Sequence, residues 1–204
     1  MRSVAVAVLA LLVHLQPANL PPAYPRAGVT KILDNDRVQV WNIAWLKGEP
    51  SPLHRHIYDL VGVYYEPGDR MIISPEGAKR PVSTKAWDFA FQRSGVTHIE
   101  EGTSDAPLRA VFIEMKQSGS YGTDTGSGAP PFSGAGGVQK LDNDRVTVWE
   151  FMQAPAAASH RHTRNAVVVA IDGRNPRANW VKQGTVHAAE GASDAARFYV
   201  FEIK

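Results

Sequence analysis

Six of the seven histidines fall into two groups that have the same order along the chain. The first group is His54, His56 and His98, and the second is His160, His162 and His187. Side chains two positions apart on a β-strand project to the same face, so each His-x-His pair can direct two imidazoles at one point. A third imidazole can arrive from a strand that is distant in sequence. Three neutral nitrogens at about 2.0–2.2 Å can hold a divalent metal and leave coordination positions open.

A single His-x-His pair has a simpler explanation, because two histidines can also lie half-exposed on an edge strand. The repetition of the whole triple favours the metal sites. Since the chain has no cysteine, a metal must bind to His, carboxylate or carbonyl ligands. Imidazole suits Fe(II), Zn, Mn, Ni and Cu, so the sequence predicts a divalent metal without naming it.

The chain contains an internal repeat that includes both triples. Residues 33–38, Leu-Asp-Asn-Asp-Arg-Val, recur unchanged at 141–146. The pattern Gly-x-x-His-x-x-Glu-Gly-x-Ser-Asp-Ala occupies 95–106 and recurs at 184–195. Because the landmarks keep their order, the sequence indicates two copies of one module.

The two copies are separated by a segment with the composition of a connector. Residues 117–137 include seven Gly, four Ser, two Thr and two Pro, which together make 15 of the 21 positions. Such a composition is typical of a flexible linker. We therefore predict a first module at 28–116, a linker at 117–137 and a second module at 138–204.

The second module is shorter than the first. From His56 to His98 the chain advances 42 residues, whereas from His162 to His187 it advances 25. About 17 residues are therefore missing between the two histidine landmarks. We expect the second barrel to be smaller or more open, and to serve mainly as a packing partner for the first.

Both modules have the sequence texture of β-strands. Residues 37–45 and 145–151 alternate between apolar and polar side chains, and turn signals such as 66–69 and 172–173 follow at short intervals. No helical periodicity persists after the first residues. This pattern predicts an all-β sandwich or barrel in each module.

Three aromatic residues at alternate positions, Trp87, Phe89 and Phe91, allow two interpretations. They could form an apolar wall that keeps water from a metal, or they could fill a core. We take core filling as the prediction, because apolar side chains at period two normally face a core.

The composition excludes several functions. The 204 residues are 44% hydrophobic and carry a net charge of only +2, so no basic surface for nucleic acid is expected. No phosphate-binding loop, dinucleotide fingerprint or Gly-x-Ser-x-Gly motif is present. The sequence therefore favours a small molecule as ligand or substrate, and it leaves an oligomer open.

The first residues are typical of an export signal. Arg2 is followed by ten apolar residues at 4–13, which are too few to span a bilayer. The small residue Ala18 offers a cleavage position, although Gln16 stands where a small residue is usual. We predict that 1–27 comprise a signal and an extended, proline-rich lead-in. The mature protein would then have no membrane span and would be periplasmic or secreted.

The motifs around the histidines resemble those of the cupins, small barrels of jelly-roll type, in a two-domain or bicupin arrangement. Residues 48–68 carry the pattern Gly-x5-His-x-His with a closing glycine, and 95–98 and 184–187 carry Gly-x-x-His, with Arg93 and Lys182 in the family's proline position. The resemblance covers most of residues 30–204. It implies two tandem cupin barrels, the second shortened.

The chain departs from the family at one ligand. The family's glutamate falls on Val61, next to Leu60, and on Val167 in the second module. An all-histidine site is therefore expected in both copies. Asp59 could be a displaced carboxylate ligand, but its counterpart in the second module is Asn165.

Other repeated residues have structural explanations. The Asp-Asn-Asp-Arg runs at 34–37 and 142–145 predict a turn that enters a strand. Glu101 and Glu190, three residues after the third histidine of each triple, could orient an imidazole, but the glycine that follows each favours a loop carboxylate.

The resemblance implies two classes of function. Three-histidine cupins include metal-dependent dioxygenases, and three neutral imidazoles leave the metal charge uncompensated, which favours a small, chelating, anionic substrate. Cupins also include noncatalytic proteins that bind a small molecule or use the metal to stabilise the fold. The sequence alone leaves open whether the protein is an enzyme.

Overall fold

The computed structural model describes residues 19–116, 131–132, 137–152, 159–187 and 197–204. These residues form sixteen β-strands and no helix. Accordingly, no helix in the described ranges is long and apolar enough to cross a bilayer. The predicted export signal at 1–18 lies outside these ranges.

The first module contains nine strands in two sheets. They are β1 (Val29–Asp34), β2 (Val38–Trp45), β3 (His54–Arg55), β4 (Asp59–Glu66), β5 (Gly68–Ile73), β6 (Lys79–Thr84), β7 (Phe89–Gln92), β8 (Thr97–Gly102) and β9 (Leu108–Met115). One sheet has the order β1-β2-β9-β4-β7 and the other has the order β3-β8-β5-β6. Aromatic and aliphatic side chains such as Trp45, Tyr64 and Phe112 fill the space between the sheets.

The second module contains seven strands. They are β10 (Val138–Asp142), β11 (Val146–Phe151), β12 (His160–Arg161), β13 (Ala166–Ile171), β14 (Arg177–Val181), β15 (Val186–His187) and β16 (Arg197–Ile203). Its five-stranded sheet, β10-β11-β16-β13-β14, repeats the strand order of the first module. The register shift in the first pair recurs too, between Lys31 and Leu33 and between Gln139 and Leu141. Within the described residues, its other sheet is the two-stranded pair β12-β15.

The shortening removes one hairpin. Val61 pairs with Phe91 in the first module, and Val167 pairs with Trp180 in the second. The chain between Val167 and Trp180 is 17 residues shorter than the chain between Val61 and Phe91. This difference equals the length of the β5–β6 hairpin, Gly68–Thr84. This confirms the prediction of a shortened second barrel, because the missing hairpin is half of the four-stranded sheet of the first module.

The five-stranded sheets of the two modules pack against each other. Side chains from both sheets, including Val63, Ile113, Val169 and Phe201, form one continuous cluster of buried residues. Each sheet is therefore covered on both faces, by its own barrel core and by the other module. This explains why β4 and β13 are buried at nearly every position instead of alternating.

The aromatic run of β7 belongs to this contact between modules. Trp87, Phe89 and Phe91 pack against the shared cluster, and the Phe89 ring lies 5.5 Å from the Tyr199 ring. Ala90, between the two phenylalanines, packs instead in the core of the first barrel. The aromatic residues therefore fill a core, as predicted, but the core lies between modules.

The Asp-Asn-Asp-Arg runs form the predicted turns. The side-chain oxygen of Asn35 accepts hydrogen bonds from the backbone N–H groups of Arg37 and Val38. The side chain of Asn143 accepts the equivalent pair in the second module. Each turn directs the chain into the strand that follows.

Two short segments that the sequence analysis left outside the modules pack into the barrels. Pro22 bridges to Arg55, and the next residues, Ala23 and Tyr24, are buried in the first core. In the second module, Pro131 bridges to Arg161, and Phe132 is buried in that core. The repeated unit therefore begins with a proline-led aromatic segment, which the sequence shows as Pro-Pro-Ala-Tyr at 21–24 and Pro-Pro-Phe at 130–132.

Candidate metal centres

The first histidine triple converges inside the first barrel. His54 on β3 and His98 on β8 are directly paired in the antiparallel ladder, and His56 follows two residues after His54. The Nε2 atom of His56 lies 3.3 Å from that of His54 and 3.2 Å from that of His98. All three side chains are buried.

A tight turn holds the third histidine in register. Gly95 has a φ of +94°, a value that favours glycine. Its N–H donates to the carbonyl of His56, and the N–H of His56 donates to the carbonyl of Val96. The second module repeats this arrangement with Gly184, whose φ is +82°, which explains why both copies carry Gly-x-x-His.

The nitrogen geometry fits a metal ion bound by three ligands on one side. Ligands at about 2.1 Å that subtend angles of 90° to 109° have nitrogens separated by about 3.0–3.4 Å. The separations of 3.2 and 3.3 Å fall in this range. The carbonyl of Pro52 can only accept a hydrogen bond, so the Nδ1 of His54, 3.0 Å away, carries the proton. The Nε2 of His54 therefore presents its lone pair to the shared point.

Burial keeps the first triple in the neutral form that metal binding requires. It lowers the pKa of His54, His56 and His98, and that of His56 falls to about 3, with the neighbouring histidines lowering it further. Neutral imidazoles can coordinate a metal at neutral pH without first losing a proton.

The second triple has the same geometry in a more open setting. His160 on β12 is paired with His187 on β15. The Nε2 of His162 lies 3.2 Å from that of His160 and 2.9 Å from that of His187. His162 is fully buried, whereas His160 and His187 are partly exposed. The two triples are the only groups in the described part of the chain whose arrangement could hold a metal ion.

The position of the family's glutamate is apolar in both modules. The sequence analysis assigned it to Val61 and Val167, which is one residue too far along each strand. Val61 and Val167 lie in the cluster between the modules. The residues before them, Leu60 and Ala166, face the two barrel cores. A one-residue step reverses the face of a strand, so these two are the inward counterparts of the glutamate. Neither can bind a metal, and the expectation of an all-histidine ligand set stands.

Asp59 forms its hydrogen bonds with residues other than the histidines, so the hypothesis that it replaces the family's glutamate as a metal ligand is wrong. Its carboxylate accepts hydrogen bonds from the N–H of Ser94, from Arg93 and from Arg145 of the second module. Although burial alone would raise the pKa of Asp59, these bonds lower it. Asn165 accepts the N–H of Gln183 in the same way. The two residues therefore hold the turn before each Gly-x-x-His motif.

A buried carboxylate lies beside the first triple, and the sequence analysis missed it. Glu100 is two residues after His98 on β8 and shares its buried face, whereas Glu101 is only partly buried. Glu100 accepts a hydrogen bond from Trp45 and pairs with Arg70 and Arg26 at 3.3 and 3.5 Å. Burial alone would raise the pKa of Glu100, but the guanidinium groups of Arg70 and Arg26 lower it to about 2. The period-two rule could have identified this residue.

A small cavity of about 80 Å³ opens onto the first triple. Its lining includes His56, His98, Glu100 and Arg70, together with Tyr24 from the lead-in segment. The ring of Tyr24 stands edge-on to that of His56, 6.3 Å away. Apolar side chains such as Leu60 and Phe112 complete the wall. The geometry therefore combines three candidate metal ligands with a confined, polar chamber.

If each triple binds one metal ion, the purified protein will hold two divalent ions per chain. His98→Ala and His187→Ala will each hold one, and the double variant none, because each change removes one of three ligands. Elemental analysis after dialysis without chelators measures this. Equal metal content in the wild type and His98→Ala would reject the first site.

The metal-free protein is expected to lose stability in acid because of His56. The pKa of His56 is 6.5 in the unfolded chain and about 3 in the folded chain. At pH values between these two, the unfolded chain binds a proton at His56 that the folded chain does not. The free energy of unfolding then falls as the pH falls, by about 1.4 kcal/mol per pH unit for each such proton. Urea unfolding with EDTA at pH 7 and pH 5 measures the loss.

The matched comparison is His56→Gln. From pH 7 to pH 5, the free energy of unfolding of the wild type should fall by about 2 kcal/mol more than that of this variant. Glu114 and Glu202, whose burial raises their pKa, act in the opposite direction but equally in both proteins. Identical losses would show that His56 is not held neutral by burial.

Comparisons with known proteins find matches among solved structures but none among sequence families or curated proteins. Among solved structures, a cupin domain from Bordetella pertussis Tohama I is 28% identical, with a TM-score of 0.41, over 48% of this chain and 97% of its own. A cupin 2 conserved barrel domain protein from Leptotrichia buccalis is 14% identical, with a TM-score of 0.49, over 89% of this chain and 91% of its own.

AerE from Microcystis aeruginosa matches at a TM-score of 0.54 and 12% identity, over 91% of this chain and 98% of its own. A match of this extent includes both modules, although identity at this level speaks only for the fold. The sequence motifs predicted two related barrels with a histidine triple in each. The first module has two sheets, the second repeats the five-stranded sheet, and each module holds one triple. The chain therefore has the cupin fold, with two cupin modules in one polypeptide and the second of them shortened.

Proposed function

We propose that the first module is a metal-dependent dioxygenase that acts on a small, chelating, anionic substrate. The observation that carries the proposal is the buried, neutral triple of His54, His56 and His98, whose Nε2 atoms converge beside a confined cavity. These three residues would hold the metal, for which Fe(II) is the first choice. Such a metal would polarise bound oxygen atoms and, when redox-active, would pass electrons from the bound substrate to dioxygen, so that the substrate is oxidised and the metal is regenerated.

The charge of the site favours an anion. Neutral imidazoles leave the metal charge of +2 uncompensated. The buried charged groups next to the triple are Arg26, Arg70 and Glu100, which add one further positive charge. An enolate, carboxylate or catecholate would offset this excess, and the low polarisability of a confined site strengthens the attraction.

The residues of the chain itself would orient the substrate and exclude water. Glu100 fixes Arg70, and Arg70 also donates to the hydroxyl of Tyr64, so its guanidinium has a defined position at the cavity. Leu60 and Phe112 supply apolar walls. Preorganised groups of this kind need little rearrangement when the substrate binds.

A noncatalytic role is the second candidate, and the second module supports it. In the sequence, the residue two positions after His187 is Ala189, where Glu100 follows His98, and the hairpin that carries Arg70 has no counterpart between β13 and β14. Its triple is also more open. We propose that this module serves mainly as a packing partner, with a second metal that stabilises its small barrel or binds a ligand without turnover.

Oxygen uptake separates the two candidates. Protein loaded with Fe(II) should consume dioxygen when acetylacetone or catechol is added. The rate of oxygen uptake should be at least 100-fold lower in His98→Ala, because this variant loses the metal. His187→Ala is the matched control and should retain the rate. Binding of these compounds without uptake would favour the noncatalytic role.

We also propose that residues 1–18 direct export. Their short apolar run after Arg2, ending near Ala18, supports this. The full chain expressed in a Gram-negative host should be recovered from the periplasm and begin at Asn19. Recovery of uncleaved protein in the cytoplasm would reject the proposal, and deletion of 2–18 is the control.

A further inference from the structure

The cavity of the first module contains more hydrogen-bond donors than acceptors. Four residues that line it carry a buried polar atom with no hydrogen-bond partner. One is the Nδ1 of His56, a candidate metal ligand, and the other three are donors: the hydroxyl of Tyr24, the Nε of Arg70 and the side-chain amide nitrogen of Gln92. Buried polar groups in folded proteins are nearly always paired. Three unpaired donors on residues around one cavity therefore indicate a ligand that supplies the missing acceptors.

The carboxylate and hydroxyl oxygens beside Arg70 are already engaged. Each carboxylate oxygen of Glu100 faces a partner, Arg70 on one side and Trp45 with Arg26 on the other. The hydroxyl of Tyr64 accepts from the Nη2 of Arg70. The Nε of Arg70 can only donate, since a guanidinium has no acceptor. The missing partner must therefore bring hydrogen-bond acceptors, and the oxygens of a carboxylate are the acceptors that suit a guanidinium best.

We propose that this cavity binds the carboxylate of a small 2-oxo- or 2-hydroxycarboxylate through Arg70, Tyr24 and Gln92. The inference rests on the proposed function, because the bound acid would be the substrate. Its second oxygen atom would face His56 and His98, which border the same cavity. A carboxylate and an adjacent oxygen together form the chelating anion that a three-imidazole metal favours.

The volume limits the size of the acid. A water molecule needs about 10–15 Å³ of such space, so a cavity of about 80 Å³ accommodates on the order of five to eight non-hydrogen atoms. Acids of three or four carbons, such as pyruvate and lactate, have this size.

The second module lacks all three donors. Phe132 occupies the place of Tyr24 and packs on the second triple, so the hydroxyl is absent. Val181 pairs with Ala166 as Gln92 pairs with Leu60, so the amide is absent too. The hairpin that carries Arg70 is missing. The donors therefore belong to one module and are not a general requirement of the fold.

Tyr24→Phe tests the proposal without disturbing a hydrogen bond of the free protein. The hydroxyl has no partner there, so the melting temperature of the ligand-free variant should equal or exceed that of the wild type. Pyruvate should bind at least tenfold more weakly. Gln92→Leu should behave in the same way. Calorimetric titration with pyruvate, lactate and acetylacetone, using full-length protein loaded with Zn(II), measures the dissociation constants.

Tyr65→Phe is the matched control. Its hydroxyl donates to Asn42 at 2.7 Å in the cluster between the modules. This variant should melt at a lower temperature but bind pyruvate like the wild type. Unchanged pyruvate binding in both Tyr24→Phe and Gln92→Leu would overturn the inference, as would binding of acetylacetone without binding of either acid.

The same titrations on EDTA-treated protein separate the two proposals. Tyr24-dependent binding of pyruvate to the metal-free protein, together with no oxygen uptake by the Fe(II)-loaded protein, would support the carboxylate site and reject the metal-dependent enzyme. Oxygen uptake that depends on His98 but not on Tyr24 or Gln92 would support the enzyme and overturn the carboxylate site.

Discussion

The double burial of the five-stranded sheets is the constraint on which the rest of the structure depends. Each sheet has one face in its own barrel and the other against the second module. Because strands alternate their side chains, a strand such as β4 must be apolar on both faces. The inner face then sets the floor of the cavity, while the outer face holds the modules together. A register error of one residue would exchange the two sets.

This constraint explains why the two modules can differ so much. The second module keeps the five-stranded sheet that forms the contact, and it keeps the β12–β15 pair that positions its triple. It lacks the β5–β6 hairpin, which in the first module carries Arg70 and contributes no residue to the buried cluster between the modules. Loss of the hairpin therefore opens the second site without removing the surface that supports the first.

The local geometry of each triple depends on very few residues. Two short strands place one pair of histidines opposite each other, and a glycine with positive φ returns the chain to the same point. Asp59 and Asn165 hold the turns in front of these glycines. A carboxylate and an amide can both accept the N–H, which is why the two modules tolerate different residues there. The Asp59 carboxylate also forms an ion pair with Arg145 of the second module, which links the two modules.

The sequence by itself determined the parts of the site that repeat. Spacing at period two and the duplicated Gly-x-x-His motif identified all six histidines, the β architecture and the shortened second copy, because these features follow from local strand geometry. The same rule, applied to His98, would have identified Glu100. The alignment placed the glutamate position on Val61 instead of Leu60, because a sequence does not show which face of a doubly buried strand points inward.

Only the tertiary structure decided which distant side chains share the cavity. Tyr24, Arg70 and Gln92 come from a lead-in segment, a hairpin and an edge strand, and no local pattern connects them. The partners of Asp59 are equally distant, since Arg145 belongs to the other module. Such contacts depend on how the sheets curve and pack, and packing is a property of the whole chain, whereas strand periodicity is a property of a few neighbouring residues.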